Sequence, residues 1–167
     1  MVSLEHKTFQ LRFLFFYLSL FASNIPVQPS TVACYAYLNV AETKIETNHP
    51  LVFDVPVSNY GNGYNNHTGI CTEPQCGVYV FSLAIFPGRG SYVAVDIYRN
   101  SEVVGQVYGD MTTSHAFSSS SMVAVISMTI GDATYLRTSS ITTSAGSVYG
   151  DSNAKSSSAG WNFADLV

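Results

Sequence analysis

The chain has 167 residues, 47% hydrophobic and only 11% charged, with a formal charge of −4. That is one domain's length, with enough apolar side chains for a real core. The few cations Lys44, Arg89, Arg99, Arg137 and Lys155 are scattered, which excludes the basic stripe a nucleic-acid surface needs. Serine, threonine, glycine, tyrosine and valine stand where helix chemistry would place alanine, leucine, glutamate and lysine, so the composition predicts an all-β fold with polar, uncharged loops.

His6, Lys7 and Arg12 precede the apolar run FLFFYLSLFA at 13–22. The run is about half of what a bilayer crossing needs and suits the apolar core of a secretory signal. Residues 1–22 are therefore expected to be a signal peptide, 23–31 a short linker and 32–167 the folded domain. Ala22 is small, but Leu20 leaves the cleavage site poorly defined, and a retained signal anchor is the competing reading. The expected product is secreted and extracellular, with no membrane insertion once the signal is gone.

Many short strands separated by turn residues follow, the pattern of a sandwich or barrel. Residues 32–38 make a first strand. LVFDVPV at 51–57 makes a second, irregular or at an edge because of Pro56. SNYGNGYNNHTG at 58–69 is rich in Asn and Gly and reads as turn and loop. GVYVFSLAIF at 77–86 is the strongest strand. Gly77, Tyr79, Phe81, Leu83 and Ile85 share one face, and Val78, Val80, Ser82, Ala84 and Phe86 share the other. Both faces are largely apolar, so this strand is expected to be central and covered on both sides. SYVAVDIYRN, VVGQVYG, SMVAVISMTI and ATYLRT are further strands. The stretch 139–158 has the composition of a disordered tail, but AGWNF at 159–163 carries the only tryptophan and predicts a terminal strand that returns to the core. No helix longer than a turn is expected.

In an oxidising compartment close thiols pair. Cys71 and Cys76 enclose a four-residue turn containing Pro74 and are the expected disulfide, leaving Cys34 as a buried free thiol. So short a loop fixes local shape more than global stability. No second thiol pair or histidine spacing suggests zinc. Asn66-His67-Thr68 is an N-glycosylation sequon in a segment that must turn. His6, His49, His67 and His115 have no serine, cysteine or carboxylate partner at a catalytic spacing, and no nucleophile elbow or phosphate loop is present. The chain reads as a non-enzyme.

Several pieces stand in a recognisable order: VACYAYLN, PLVFD, the run Asn59-x-Gly61-x-x-Tyr64 with Thr68-Gly69, then Gly77-x-Tyr79-x-Phe81, VAVDIYRNSEVVG, MTIGDATYLRT and GSVYGDSNAKSSSAGWNF. Together they resemble the globular head of complement C1q, of the C1q and tumour-necrosis-factor superfamily, over residues 32–164. The closing segment is similar to secreted invertebrate members that lack a collagen stalk. The sequence departs from the pattern at Cys34 and Cys71, both usually aromatic, at Ser101 for a common glycine, at Tyr135 for a common tryptophan and at Ser158 for a common phenylalanine. The two cysteines at ring positions raise a rival pairing, Cys34 with Cys71 across the sandwich.

The resemblance implies a ten-stranded jelly roll of two five-stranded antiparallel sheets, and a homotrimer whose subunits cover the second apolar face. It implies a lectin-like pattern-recognition module of innate immunity, binding glycans or microbial surface components, with calcium as a candidate cofactor. The alternatives are a cytokine-like or synaptic-organiser-like ligand for a protein receptor, and a structural protein of secretions. Tyr108, Asp110 and His115, in VYGDMTTSH, are the candidate contact residues. An aromatic ring faces a sugar, and a carboxylate meets hydroxyls or calcium.

Overall fold

The computed structural model describes residues 31–43, 45–113 and 117–165. The signal-peptide reading and most of the linker fall outside them. The described chain is all β, twelve strands in order: β1 Ala33–Tyr37, β2 Glu42–Thr43, β3 Val55–Tyr60, β4 Tyr64–Asn65, β5 Ile70–Thr72, β6 Gly77–Ile85, β7 Tyr92–Arg99, β8 Glu102–Asp110, β9 Ser120–Met128, β10 Ala133–Thr138, β11 Ser147–Val148 and β12 Ser157–Asp165. Two five-stranded sheets, ordered β3-β1-β12-β6-β9 and β4-β5-β10-β7-β8, face each other, and β2 pairs with β11 in a small ribbon. All named pairings are antiparallel. This is the expected jelly roll, with the ribbon as an addition.

The core lies between the sheets. Strand β6 alternates without a break, its Gly77, Tyr79, Phe81, Leu83 and Ile85 buried and the residues between them half-exposed. Those buried side chains meet Leu51, Phe53, Val93, Val95, Ile97 and Met128. The terminal strand β12 lies between β1 and β6, so the chain end completes the sheet centre.

Two segments differ from the sequence expectation. Residues 51–54 are not strand; the strand starts at Val55 and runs on through Ser58-Asn59-Tyr60, residues read as turn. Strand β3 is the sheet edge, and the β1–β3 register shifts between Tyr35 and Ala36, beside Pro56. Proline has no N–H to give, so an edge with a bulge is where it fits. The turn residues Gly61 and Asn62 then take φ of 83° and 55°, the left-handed region that glycine and asparagine enter at least cost.

The serine-rich stretch 139–158 is ordered by its own hydroxyls. Ser144 Oγ accepts from the Ala94 amide at 2.9 Å, and Ser156 Oγ from the Phe86 amide at 2.9 Å. Ser139 Oγ accepts from the Ile141 and Thr142 amides. Ser139 and Ser156 are buried. Buried polar groups with partners cost little, so composition alone misjudges such a segment.

Candidate functional site

Three places carry the residues that sequence reasoning singled out. The first is the outward face of the β3-β1-β12-β6-β9 sheet. Register places Tyr60, Ala33, Trp161, Val80 and Val125 in one row across its five strands. The next row contains Tyr35, Ala159, Ser82 and Val123. Val123 and Val125 are 65% and 67% exposed, Trp161 39% and Tyr35 38%. Contiguous exposed apolar area of this kind is uncommon on a soluble monomer and marks an interaction surface. The sequence pointed to one strand of this face; β1, β3, β9 and β12 supply the rest.

The second place is the end of β8 and the loop after it. Tyr108 is exposed, and Asp110 closes the strand. Asp110 Oδ1 accepts from the Thr112 amide at 2.8 Å and the Thr112 hydroxyl at 2.7 Å. Those bonds hold its carboxyl below the ordinary aspartate range, so it stays ionised. The Tyr108 hydroxyl is pushed up, by desolvation first and then by the Asp110 charge. Tyr108 and Asp110 are therefore neighbours, as a ring-and-carboxylate site requires. His115 lies outside the described residues. Among the described residues no three His, Cys, Asp or Glu side chains converge on a metal position.

The third place is the segment from β4 to β6. Asn66 sits in the β4–β5 turn, half-exposed, its amide nitrogen 3.2 Å from the Asp54 carbonyl to which it donates. Gly69 in that turn has φ of 72°. Cys71 is not in a loop: it lies within β5 and is buried. Cys34, Cys71 and Cys76 stand as free thiols in the structure. Cys71 shares a cavity between the sheets with Cys34 of β1.

Sequence reasoning missed Glu73. It was read as part of a turn, yet it is 1% exposed, and neither carboxylate oxygen has a hydrogen-bond partner. Cys71 and Tyr79 are beside it, and burial pushes its carboxyl up to about 6. The available signal was period two: a strand that turns Cys71 inward also turns Glu73 inward.

Glycine at position 160 makes room for this cluster. Gly160 pairs with Cys34 on one side and Phe81 on the other. A Cβ there would lie 2.8 Å from the Phe81 ring and 3.5 Å from Cys34 Sγ. Gly160→Ala will cost about 1–3 kcal/mol by overpacking, read as a lower urea midpoint at unchanged slope.

The comparisons with known proteins agree with this architecture. The C1q domain matches residues 33–161. The chain belongs to the C1q domain family. The globular domain of zebrafish complement 1qA is similar in fold, with a TM-score of 0.63 at 14% identity, covering 81% of this chain and 99% of that one. Eiger TNF from S. frugiperda matches with a TM-score of 0.63 at 15% identity, covering 83% and 96%. Murine APRIL matches with a TM-score of 0.57 at 11% identity, covering 80% and 99%. No curated relative matches by sequence. C1q and tumour-necrosis-factor proteins are non-catalytic, generally extracellular, and typically trimerise. This C1q domain shares their two-sheet frame and carries its own cysteine and glutamate cluster inside it.

Proposed function

We propose that this C1q domain is a secreted homotrimeric recognition module, lectin-like, that binds glycans or microbial surface components in innate immunity. The observation that carries the assembly is the exposed apolar face of Tyr35, Trp161, Val80, Val123 and Val125. A second and third copy of the chain would cover it, as the family's habit of trimerising suggests. The ligand site proposed is the β8 end, where Tyr108 offers a ring face and Asp110 an ionised carboxylate, with His115 five residues on in the sequence. Such groups suit sugar hydroxyls. Calcium is a candidate aid there, through Asp110 and neighbouring oxygens.

The test is a screen of glycans and microbial components against the purified protein, with and without chelator. A lectin will be eluted by free sugar. A ligand for a protein receptor will instead bind a cell-surface protein and ignore sugar, and a structural protein of secretions will bind neither.

Two substitutions locate the site. Asp110→Ala will weaken binding about tenfold, the loss of one charge-assisted hydrogen bond. Asn66→Gln will remove a glycan-sized mass and leave affinity within a few-fold, because the sequon turn shapes and shields its end of the sandwich. Complete loss of binding in a trimeric Asn66→Gln protein would move the site to the β4–β5 turn.

A further inference from the structure

We propose that Cys34 and Cys71 are a redox pair that closes into a disulfide joining the two sheets through the core, with Cys76 left as a free thiol. The two sulfurs approach from opposite sheets. Cys34 stands on β1 opposite Gly160, and Cys71 stands on β5 between Tyr64 and Thr134. Both line one apolar cavity with Phe53, Tyr64 and Phe81. The two thiols are close enough to perturb each other's ionisation. Small residues flank both thiols: a Cβ at Gly63 or Gly160 would lie 3.4 Å from Cys71 Sγ or 3.5 Å from Cys34 Sγ. Cys76 precedes β6 in the phase of Val78 and Val80, which turn away from the core. A Cys34–Cys71 link encloses β2, β3 and β4, whereas a Cys71–Cys76 link encloses one turn. The longer loop removes more freedom from the unfolded chain.

The chemistry is thiol–disulfide exchange with a small disulfide such as oxidised glutathione. Cys34 is half-exposed and Cys71 buried, so the oxidant meets Cys34 first. The neighbouring Cys71 thiol favours the Cys34 thiolate, while the same neighbour and burial hold the Cys71 proton on. The Cys34 thiolate attacks one glutathione sulfur; the S–S bond breaks, and the first glutathione leaves and takes up the proton Cys34 released. Cys71 then gives its proton to the adjacent Glu73 carboxylate, and its sulfur attacks Cys34 Sγ. The second glutathione leaves as a thiolate and is protonated in turn. Two protein thiols lose two electrons, and one external disulfide becomes two thiols.

The test is peptide mapping without reduction, on folded protein treated with oxidised glutathione and then alkylated. Fragmentation before Pro74 separates Cys71 from Cys76. The expected result is a peptide joining Cys34 to Cys71, with the alkyl label on Cys76 alone. Reductant will lower the melting temperature by about 10 °C in the wild type and in Cys76→Ser, and will leave that of Cys34→Ser unchanged. Glu73→Gln will accumulate the Cys34–glutathione mixed disulfide, at least about fivefold over wild type. A Cys71–Cys76 link in the wild-type map, or label on all three cysteines after oxidation, overturns the pair. Absence of the mixed disulfide in Glu73→Gln overturns the proton-accepting role of Glu73.

Discussion

Val80→Asp will abolish the trimer. The wild-type protein will scatter light at three times the chain mass, and the variant will scatter as monomer or aggregate. Val80 lies in the middle row of the exposed face, between Trp161 on β12 and Val125 on β9. Its side chain points away from the core, because Tyr79 and Phe81 on either side are buried. The substitution therefore spares the sandwich interior. In the proposed assembly it places a carboxylate from each subunit in an apolar interface. An uncompensated buried charge costs about 3–5 kcal/mol, and that cost recurs in every subunit. Far-UV circular dichroism of the monomer will keep the β signature. Wild-type protein that is a clean monomer at micromolar concentration would remove the trimer from the proposed function, and a trimeric Val80→Asp protein would move the interface to another face.

Glu73 gives the second large effect, and it depends on pH. Its carboxyl titrates at about 6 in the fold against an ordinary 4.5, with burial as the main cause. The groups that face it are Cys71 on β5, Tyr79 on β6 and, through their charges, Asp132 and Cys34. The folded state thus holds a proton that the unfolded chain gives up between these values. The contribution of Glu73 to stability is fully present below about pH 4.5 and is lost as pH rises through 6. The loss is about 2 kcal/mol at neutral pH. Asp110 and Asp132 act in the opposite sense at lower pH, since hydrogen bonds hold both below the ordinary range.

Glu73→Gln removes the buried charge and keeps the shape. Urea melts will show the variant more stable than wild type at pH 7 by up to about 2 kcal/mol, and the two nearly equal at pH 4.5. A variant less stable at pH 7 would show that the carboxylate has a partner in solution, and the buried charge would then be a site in its own right.

The period-two pattern of residues 77–86 and the turn residues around it determined an all-β sandwich with a central two-faced strand, because alternation dictates which side chains face a core whatever that core contains. The AGWNF strand was legible from the lone tryptophan in an otherwise polar tail. Composition erred at Ser144 and Ser156: a hydroxyl that satisfies a backbone amide fifty or seventy residues away leaves no sign in its own segment. The edge strand through Ser58-Asn59-Tyr60 is held by pairing with β1, which overrides weak local preference. Only the tertiary structure decided that Trp161, Val80 and Val125 form one surface, since register between distant strands sets that row. It also decided the neighbours of Cys71. Sequence closeness favoured Cys76, but a β-strand sends its side chain to one face, and on that face the opposite sheet brings Cys34 to it.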